Sequence, residues 1–444
     1  MHDMIGTLQR SLKAAGVHFV RILWCDNANI IRAKASHIDH RPGLEHGVGL
    51  SMAQQAIPVI ADAVVAETGL SPVGEVQLVP DWSTLRVLPY CHGQALVLGD
   101  MKVAQQAWQH CPRDLLRQQC AALAAEGLEL RAAFENEFFL LQRSSEGLLP
   151  VEQSAYAMTQ AMNSGAPFIH ALSDALIEQG LPVEYYYPES APGQQELSIA
   201  YSDAMAAADR QIIFRETVRG VAQQHGLVAS FMPKMQDNAA GSGCHINLSL
   251  WRDGRNISGD SGQADGLSAE ARAFMAGMLQ HLPGLCALSL ASSNSYRRIK
   301  PHFWAGAYRS WGYDNREASI RVSRSSGAAS RFELKTADAT ANPYLVLAAL
   351  MAAGIDGVQQ GLTLPEEVRC DPGYLSEAER QARDIHLLPA NLAEALDALE
   401  ADSVLMRALG AERARAYLAV KRNEYQAMRD YSLEEEVALL AERY

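Results

Sequence analysis

The segment LRAAFENEFFLL, residues 130–141, has the composition of a buried β-strand that carries two acids. Glu135 and Glu137 are two positions apart, so on a strand both carboxylates project from one face, about 7 Å apart. Unpaired acids are costly within so apolar a run. The pattern therefore favours metal binding on this strand, and the alternative is an exposed strand face, which is common.

The segments around this strand predict a mixed α+β domain. A helix is predicted at 113–126, a long helix near 203–226, and strands around 228–233 and 243–250. Further helices are predicted at 267–282, 341–358, 390–400 and 411–428, and loops at 252–266 and 361–376.

The first hundred residues predict a small, strand-rich domain of their own. HFVRILWCD (18–26) and NIIRAKASHI (29–38) flank the turn residues Asp26 and Asn27 as in a hairpin, and QALVLGDM (94–101) is a further strand. We expect one domain at 1–105 and a larger catalytic domain at 106–444.

Composition narrows the classes of protein to consider. The chain has 444 residues, is 48% hydrophobic and carries a formal net charge of −13, so a large core is expected and nucleic acid is not expected as the main partner. Seven scattered cysteines without a CxxC pair favour reduced thiols. The sequence shows neither a membrane-length apolar run nor a signal-peptide pattern, so we expect a cytoplasmic protein.

Cations gather in one part of this acidic chain. Residues 297–335 hold nine Lys and Arg and only three acids. The cations are Arg297, Arg298, Lys300, Arg309, Arg316, Arg321, Arg324, Arg331 and Lys335. A local basic site in an acidic protein suits a small anion such as phosphate.

Other segments supply acids and a histidine. ESAPGQQE places Glu189 and Glu196 on either side of a Pro-Gly turn, which is a weak signal alone. In GSGCHINLSL (241–250), His245, Asn247 and Ser249 share one strand face, where a lone histidine is more often structural. RFELK (331–335) likewise places charged residues at alternate positions of a strand, with Glu333 between two cations. The same pattern would also suit a row of ion pairs on the protein surface.

Taken together, oxygen ligands with one imidazole beside guanidinium groups favour Mg²⁺ or Mn²⁺ next to phosphate, rather than zinc. The serine-protease-like GDSG (259–262) lies in a polar loop and is interpreted as chance, and the sequence has no GxxxxGK[ST].

The motifs in order resemble the glutamine synthetase family, type I and its γ-glutamyl-amine ligase relatives. They are ENEFFL, ESAPGQQE, FMPK, GSGCHINLSL, NSYRR, DNREASIR, RFELK and ANPYLVLAALMAAGIDG, with PDWSTLRVLPY (80–90) extending the match toward the N-terminus. The resemblance implies an N-terminal β-grasp domain, a catalytic domain with a curved antiparallel sheet, and double rings, as a dodecamer. It also implies active sites between subunits, with the 45–75 region reaching the next subunit's site.

The resemblance also implies residue roles, together with ATP and two or more Mg²⁺ or Mn²⁺ ions per site. Glu137, Glu189 and Glu196 match the ligands of one metal, and Glu135, His245 and Glu333 those of the other. Arg316, Arg321 and Arg331 match arginines that bind the phosphates of ATP. Ser249 is also expected to bind ATP. Arg298 matches the arginine on the substrate carboxylate, so Arg316, Arg298 and Glu137 are the expected catalytic residues. Substrate binding is expected from Arg298, Gly241, Lys335 and Trp304.

The sequence departs from the family where ammonium binds. In the family, a loop glutamate accepts a proton from ammonium. This sequence has Trp304 at that position, in PHFWAG, and an indole is not a base. GLSMAQQAIP (49–58) lacks the aspartate of an FDGSS-like segment. Glu317 or Asp314 are possible substitute acids, although neither is in register. An aromatic wall favours an organic amine through apolar or cation–π contact.

The amino-acid side is altered as well. Ala240 replaces the asparagine that precedes GSG in the family. Lys335 replaces a second carboxylate-binding arginine, and lysine lacks the bidentate fork of arginine.

Three hypotheses about the function follow. The leading one is an ATP-dependent ligase that makes a γ-glutamyl amide from glutamate and an organic amine. The second is an ordinary glutamine synthetase that uses ammonia, and the third is a non-catalytic structural or regulatory relative.

Overall fold

The structure is a computed structural model that describes residues 2–153, 155–263, 266–323 and 330–444. One cation of the basic region, Arg324, lies outside the described residues. Helices and strands are both abundant, which confirms the mixed α+β prediction.

The N-terminal part is built on a sheet of six strands in the described chain, in the order β2-β1-β5-β4-β3, with β6 on β5. The hairpin prediction is confirmed, because β1 and β2 are antiparallel and Cys25 pairs with Ile31. The elements are α1 (His2–Ala14), β1 (Phe19–Cys25), β2 (Ile31–His37), α2 (Arg41–His46), β3 (Val48–Ser51), β4 (Glu75–Val87), β5 (Gln94–Val103) and β6 (Gln106–Ala107).

The remaining strands form a second sheet, with eleven strands among the described residues. These strands are β7 (Glu129–Ser144), β8 (Gly147–Pro150), β9 (Val183–Pro188), β10 (Gln194–Ile199), β11 (Ser202–Asp203), β12 (Val228–Ser230), β13 (Cys244–Arg252), β14 (Arg255–Asn256), β15 (Tyr308–Tyr313), β16 (Ala318–Val322) and β17 (Phe332–Leu334). The main path runs β15-β16-β17-β13-β7-β10-β9.

Helices pack around this sheet. They are α3 (Pro112–Ala125), α4 (Thr159–Glu178), α5 (Ala204–Gln224), α6 (Ala269–Gln280), α7 (Leu282–Ser289), α8 (Ser295–Arg298), α9 (Pro343–Gln360), α10 (Glu377–Ala382), α11 (Leu392–Ala401), α12 (Ser403–Leu409), α13 (Ala411–Met428) and α14 (Leu433–Leu440).

Strand β7 organises the second sheet, since it pairs with β8, β10, β11, β12 and β13. Its even-numbered residues from Leu130 to Leu140, Phe134 and Phe138 among them, are buried against the core. The odd-numbered Glu135 and Glu137 therefore point to the opposite face. This alternation separates the apolar core from a face that carries charged groups.

Helix α9 anchors the helical layer. Asn342 caps its first turn by accepting hydrogen bonds from the N–H groups of Tyr344 and Leu345. The helix crosses α6 closely at Gly277, where a Cβ atom would lie 2.1 Å from the carbonyl oxygen of Ala353. A larger residue at this crossing would push the two helices apart.

Candidate active site

A cavity of about 450 Å³ lies on the charged face of the second sheet. Its lining includes Glu135, Glu137, Glu189, Glu196, Gly241, His245, Arg298, Trp304, Arg316, Arg321 and Lys335. These residues are far apart in sequence and come from β7, β10, β13, β16, the end of α8 and several loops. The structure thus brings most of the predicted site residues to one place.

Two of these side chains, Glu135 and His245, form a compact ligand set with the buried Glu333. Ligand atoms of Glu135, His245 and Glu333 lie within 4.8 Å of one another. His245 Nδ1 is 3.2 Å from Glu333 Oε1 and 3.5 Å from Glu135 Oε2. The strands impose this cluster, because His245 pairs with Glu135 across β13 and β7.

The chemistry of this cluster fits a divalent cation. Glu333 is 0% exposed, and neither carboxylate oxygen has a hydrogen bond, although Arg321 Nε lies 3.0 Å away as an ion pair. Burial and the nearby Lys335 hold the pKa of His245 well below its usual value. The imidazole is therefore neutral, which is the form that binds a metal.

A second group of acids lies beside the first. Glu137 and Glu196 face each other in register on β7 and β10, and Glu189 follows β9. Burial and then the charge of Glu189 raise the pKa of Glu137, and burial and then Glu137 and Glu135 raise that of Glu196. A cation among these acids would relieve both effects.

Glu137 is also fixed by hydrogen bonds. Its Oε2 accepts hydrogen bonds from Gln194 Nε2 at 2.8 Å and from the N–H of Gly243 at 3.0 Å. Gly241 is the first residue of the GSG segment (241–243). It has no room for a side chain, since a Cβ atom would lie 2.4 Å from the carbonyl oxygen of Pro233. The GSG segment can therefore run close to both Pro233 and the cavity.

The predicted cations take different positions. Arg298 is buried, donates to the carbonyl oxygen of Ala337 at 2.8 Å, and has a buried Nε without a hydrogen bond. Lys335 is drawn towards the metal-ligand cluster, with Nζ 3.4 Å from His245 Nε2 and 3.6 Å from Glu333 Oε1. Arg316 and Arg321 line the cavity directly.

Arg331 and Ser249 line an adjoining cavity of about 410 Å³, which shares Glu135, Tyr185 and Ser198 with the first. Arg331 Nε donates to Asn247 Oδ1 at 3.0 Å. Trp251 also lines this second cavity and stacks under the guanidinium of Arg131 at 3.5 Å. An aromatic face beside arginines suits a nucleotide base and its phosphates.

Comparison with known proteins decides the family. The glutamine synthetase catalytic-domain family matches residues 109–439. This chain belongs to the glutamine synthetase family. It is therefore an ATP-dependent ligase of the glutamate–ammonia/amine ligase class, in a family that uses ATP and divalent metal ions.

Individual relatives agree with this assignment. The chain is 32% identical to a Type-1 glutamine synthetase of Dictyostelium discoideum, over 96% of this chain and 89% of that protein. It is 36% identical to a gamma-glutamylpolyamine synthetase of Streptomyces coelicolor, over 94% and 91%. A solved GmaS/ADP complex superposes with a TM-score of 0.85 at 29% identity, covering 97% of this chain and 98% of that one.

This glutamine synthetase family member also has aromatic residues in its cavity that the motifs did not indicate. Tyr156, Tyr185, Tyr187 and Phe303 line it together with Trp304. Tyr156 and Tyr187 meet edge to face with ring centroids 5.7 Å apart. The available signal was the run YYY at 185–187, which lies just before Glu189.

Neither substitute acid considered for the missing loop glutamate is among the described residues that line the cavity. Glu317 is buried, and its Oε1 accepts a hydrogen bond from the N–H of Trp304 at 2.8 Å. Asp314 lies in the turn after β15.

Among described helices of this ligase, none is long and apolar enough to cross a membrane.

Proposed function

We propose that this ligase joins the γ-carboxylate of glutamate to an organic amine, through an acyl-phosphate intermediate. The observation that carries the proposal is that Trp304 and four other aromatic side chains line one cavity together with five of the six predicted metal ligands. Aromatic faces attract the charge of an alkylammonium group and also bury its apolar chain, whereas an ammonium ion has no apolar part to bury. A gamma-glutamylpolyamine synthetase among the relatives supports the same choice.

The residues of the site divide into roles under this proposal. Glu135, His245 and Glu333 would hold one divalent cation, and Glu137, Glu189 and Glu196 another. Such ions would supply Lewis-acid stabilisation of phosphoryl oxygens. Arg316, Arg321 and Arg331 bind the phosphates of ATP, with Ser249 beside the nucleotide, and Arg298 binds the carboxylate of the amino acid.

The chemistry explains why so much positive charge is needed. The carboxylate of glutamate attacks the γ-phosphorus of ATP, ADP leaves, and an acyl phosphate forms. The two anionic reactants repel each other until arginines neutralise them. The amine nitrogen then attacks the acyl carbon and phosphate leaves. The nitrogen loses a proton, which the departing phosphate can take up, because the carboxylates of the cavity are assigned to the cations.

The amino-acid substrate is held differently from the usual pattern of the family. Ala240 offers no side-chain hydrogen bond, and Lys335 is turned towards His245 and Glu333. Arg298 and the backbone at Gly241 therefore carry the recognition of glutamate. Arg298 lines the cavity, and its guanidinium group is the donor that a substrate carboxylate would meet.

An ordinary glutamine synthetase is the second candidate, favoured by the Type-1 glutamine synthetase relative that spans 96% of this chain. Trp304 in place of an acid opposes it. A non-catalytic relative would be expected to lose metal ligands, and the intact cluster of Glu135, His245 and Glu333 opposes that hypothesis.

Phosphate release by the purified enzyme, with ATP, Mg²⁺ or Mn²⁺ and glutamate, tests the proposal. Ammonium is compared with methylamine, putrescine, ethanolamine and benzylamine, each added alone. The expected result is faster turnover with at least one organic amine than with ammonium. Turnover with ammonium alone would identify an ordinary glutamine synthetase.

We propose further that the enzyme is a cytoplasmic homo-oligomer, a dodecamer of two stacked rings, with a division between domains at residues 105 and 106. The separate six-stranded sheet supports two domains, although its last strand, β6 at Gln106–Ala107, extends two residues past this division. Val64 and Val73, which are exposed in the 45–75 region, support a subunit contact there.

A further inference from the structure

The loop between α8 and β15 presents two aromatic side chains to the cavity. Phe303 is 52% exposed and Trp304 is 62% exposed, and both line the site. Side chains this exposed gain little from packing, so the loop needs another restraint if it is to present them in one position.

The first restraint is Glu317, which lies in the turn between β15 and β16. Its carboxylate is buried, at 6% exposure, and accepts the N–H of Trp304 at 2.8 Å. The backbone N–H of Glu317 donates to Asn315 Oδ1 at 3.0 Å. Asn315 Nδ2 in turn donates to the carbonyl oxygens of Val368 and Cys370 at 2.8 and 2.9 Å. A chain of hydrogen bonds therefore ties Trp304 to the 368–370 segment.

The second restraint acts two residues earlier in the loop. His302 Nδ1 lies 2.6 Å from Asp371 Oδ2, and its ring packs on Tyr374 with centroids 4.7 Å apart. A Cβ atom on Gly373 would lie 2.5 Å from His302 Cε1, so glycine permits this close approach. Both restraints thus connect the loop to the same segment, residues 368–374. One acts before Phe303 and the other after it.

The backbone of the loop has an uncommon conformation at both restrained residues. His302 has a φ of 67° and Trp304 a φ of 55°, in the left-handed region that few non-glycine residues adopt. The two residues with this conformation are the two that Asp371 and Glu317 hold.

We propose that Glu317 is a positioning residue that fixes Trp304 as a wall of the amine subsite, with Asp371 holding the preceding turn of the loop. Glu317 does not line the cavity, so it acts on amine selection through the loop that it holds at Trp304. This inference rests on the proposed function, because it assigns the fixed indole to recognition of an organic amine.

The test compares Glu317→Ala and Glu317→Gln with Glu394→Ala in the full-length enzyme. Glu394 is a matched control, because it also accepts a backbone N–H at 2.8 Å, that of Ala390, on the exposed surface of α11. Gln keeps an oxygen acceptor for the N–H of Trp304, whereas Ala removes it. Should the Ala variant fold poorly, Glu317→Asp keeps the charge but shortens the reach to Trp304, and the same direction of effect is expected.

Two readouts are used. Hydrogen–deuterium exchange of the 299–308 peptide should be faster in Glu317→Ala than in the wild type, with Glu317→Gln and Glu394→Ala close to the wild type. The KM for the best organic amine should rise about tenfold in Glu317→Ala, with kcat changed less than about threefold and the KM for ATP unchanged.

Wild-type exchange in Glu317→Ala would show that Glu317 does not hold the loop, and would overturn the inference. Faster exchange with an unchanged amine KM would also overturn it, since the contact would then be structural only. The exchange experiment needs no amine, so it distinguishes failure of the positioning role from failure of the proposed function, which turnover with ammonium alone would reveal.

Discussion

At the scale of single residues, Glu333 is the clearest test of metal binding. Its buried carboxylate has no hydrogen bond and lies beside His245 and Glu135. Glu333→Gln keeps the shape but removes the charge that a cation needs. The rise in Tm on adding Mn²⁺ should shrink, and the Mn²⁺ concentration for half-maximal activity should rise about tenfold or more.

Differential scanning fluorimetry across a Mn²⁺ titration measures this effect. Glu400→Gln is the control, because Glu400 is an exposed carboxylate paired with Arg422. An equal Mn²⁺ response in Glu333→Gln and wild type would remove Glu333 from the ligand set.

Trp304 is the residue on which amine choice depends. Trp304→Glu restores an acid at the loop position and removes the aromatic wall. The ratio of kcat/KM for the organic amine to that for ammonium should fall about tenfold, the scale of a cation–π contact and its replacement by an ionic one. Steady-state kinetics with both amines measures it.

Leu387→Glu is a matched control for that substitution, since Leu387 is 61% exposed and lies outside the described lining of the cavity. It introduces the same charge at the same exposure. A ratio that stays constant in Trp304→Glu would mean that the indole does not select the amine.

The carboxylates could be predicted from sequence, whereas the aromatic wall could not. Glu135 and Glu137 alternate with core residues. A buried charge is costly unless it has an ion-pair or metal partner, so two acids in an apolar strand predict a partner from the sequence alone. Tyr156 and Phe303 give no such signal, because aromatic side chains most often fill a core. Only the path of their loops places them in the cavity.

At the scale of elements, helices with uninterrupted apolar spacing were predicted well, and α13 begins and ends at the predicted residues, 411 and 428. Helix α4 was missed. It contains Pro167 and Gly165, which usually mark the end of a helix. Packing of Phe168, Ile169 and Leu172 into the core outweighs that local cost. The predicted strand at 228–233 ends earlier, at Ser230.

A junction of helices gives a pH-dependent prediction. His281, between α6 and α7, lies 2.6 Å from Asp402 at the start of α12 and 3.1 Å from Asp356 in α9. Burial lowers the pKa of His281, but hydrogen bonds to both acids outweigh burial and raise the pKa above 6.5. Its stabilising contribution is therefore complete below 6.5 and is lost as the pH rises through the raised pKa.

The Tm difference between wild type and His281→Gln measures this contribution. It should be larger near about pH 6 than near about pH 9, because only the wild type can carry the imidazolium. A difference that is independent of pH would show that His281 acts as a neutral hydrogen-bonding group.

At the scale of the whole molecule, Arg113 of α3 joins the N-terminal sheet to helix α5. Its buried guanidinium contacts Asp81 and Asp100 of the N-terminal sheet at 2.7 and 2.9 Å, and Asp209 of α5 at 2.8 Å. Arg113→Met leaves Asp81 and Asp209 without their cation, while Asp100 keeps its ion pair with Arg117, so the free energy of unfolding should fall by about 3–5 kcal/mol.

Urea unfolding followed by circular dichroism measures the loss. Arg117→Met on the same helix is the control, because Arg117 is half exposed and its ion pairs are worth about 0–1 kcal/mol. Equal losses in the two variants would show that Arg113 does not hold the N-terminal sheet against α5.

The order of the segments was enough to predict the mixed architecture and the place of the site within it. The relation between copies of the chain could not be derived in the same way. The 45–75 region carries exposed Val64 and Val73, but one chain does not show what covers them. Ring assembly and the division at residue 105 therefore stay predictions.

One competition assay tests the central claim most directly. The enzyme receives ATP, Mg²⁺ and glutamate with equal concentrations of ammonium, methylamine, putrescine, ethanolamine and benzylamine, and the products are identified by mass spectrometry. The account predicts that a γ-glutamyl amide of one organic amine forms in excess over glutamine. Glutamine as the only product would contradict it.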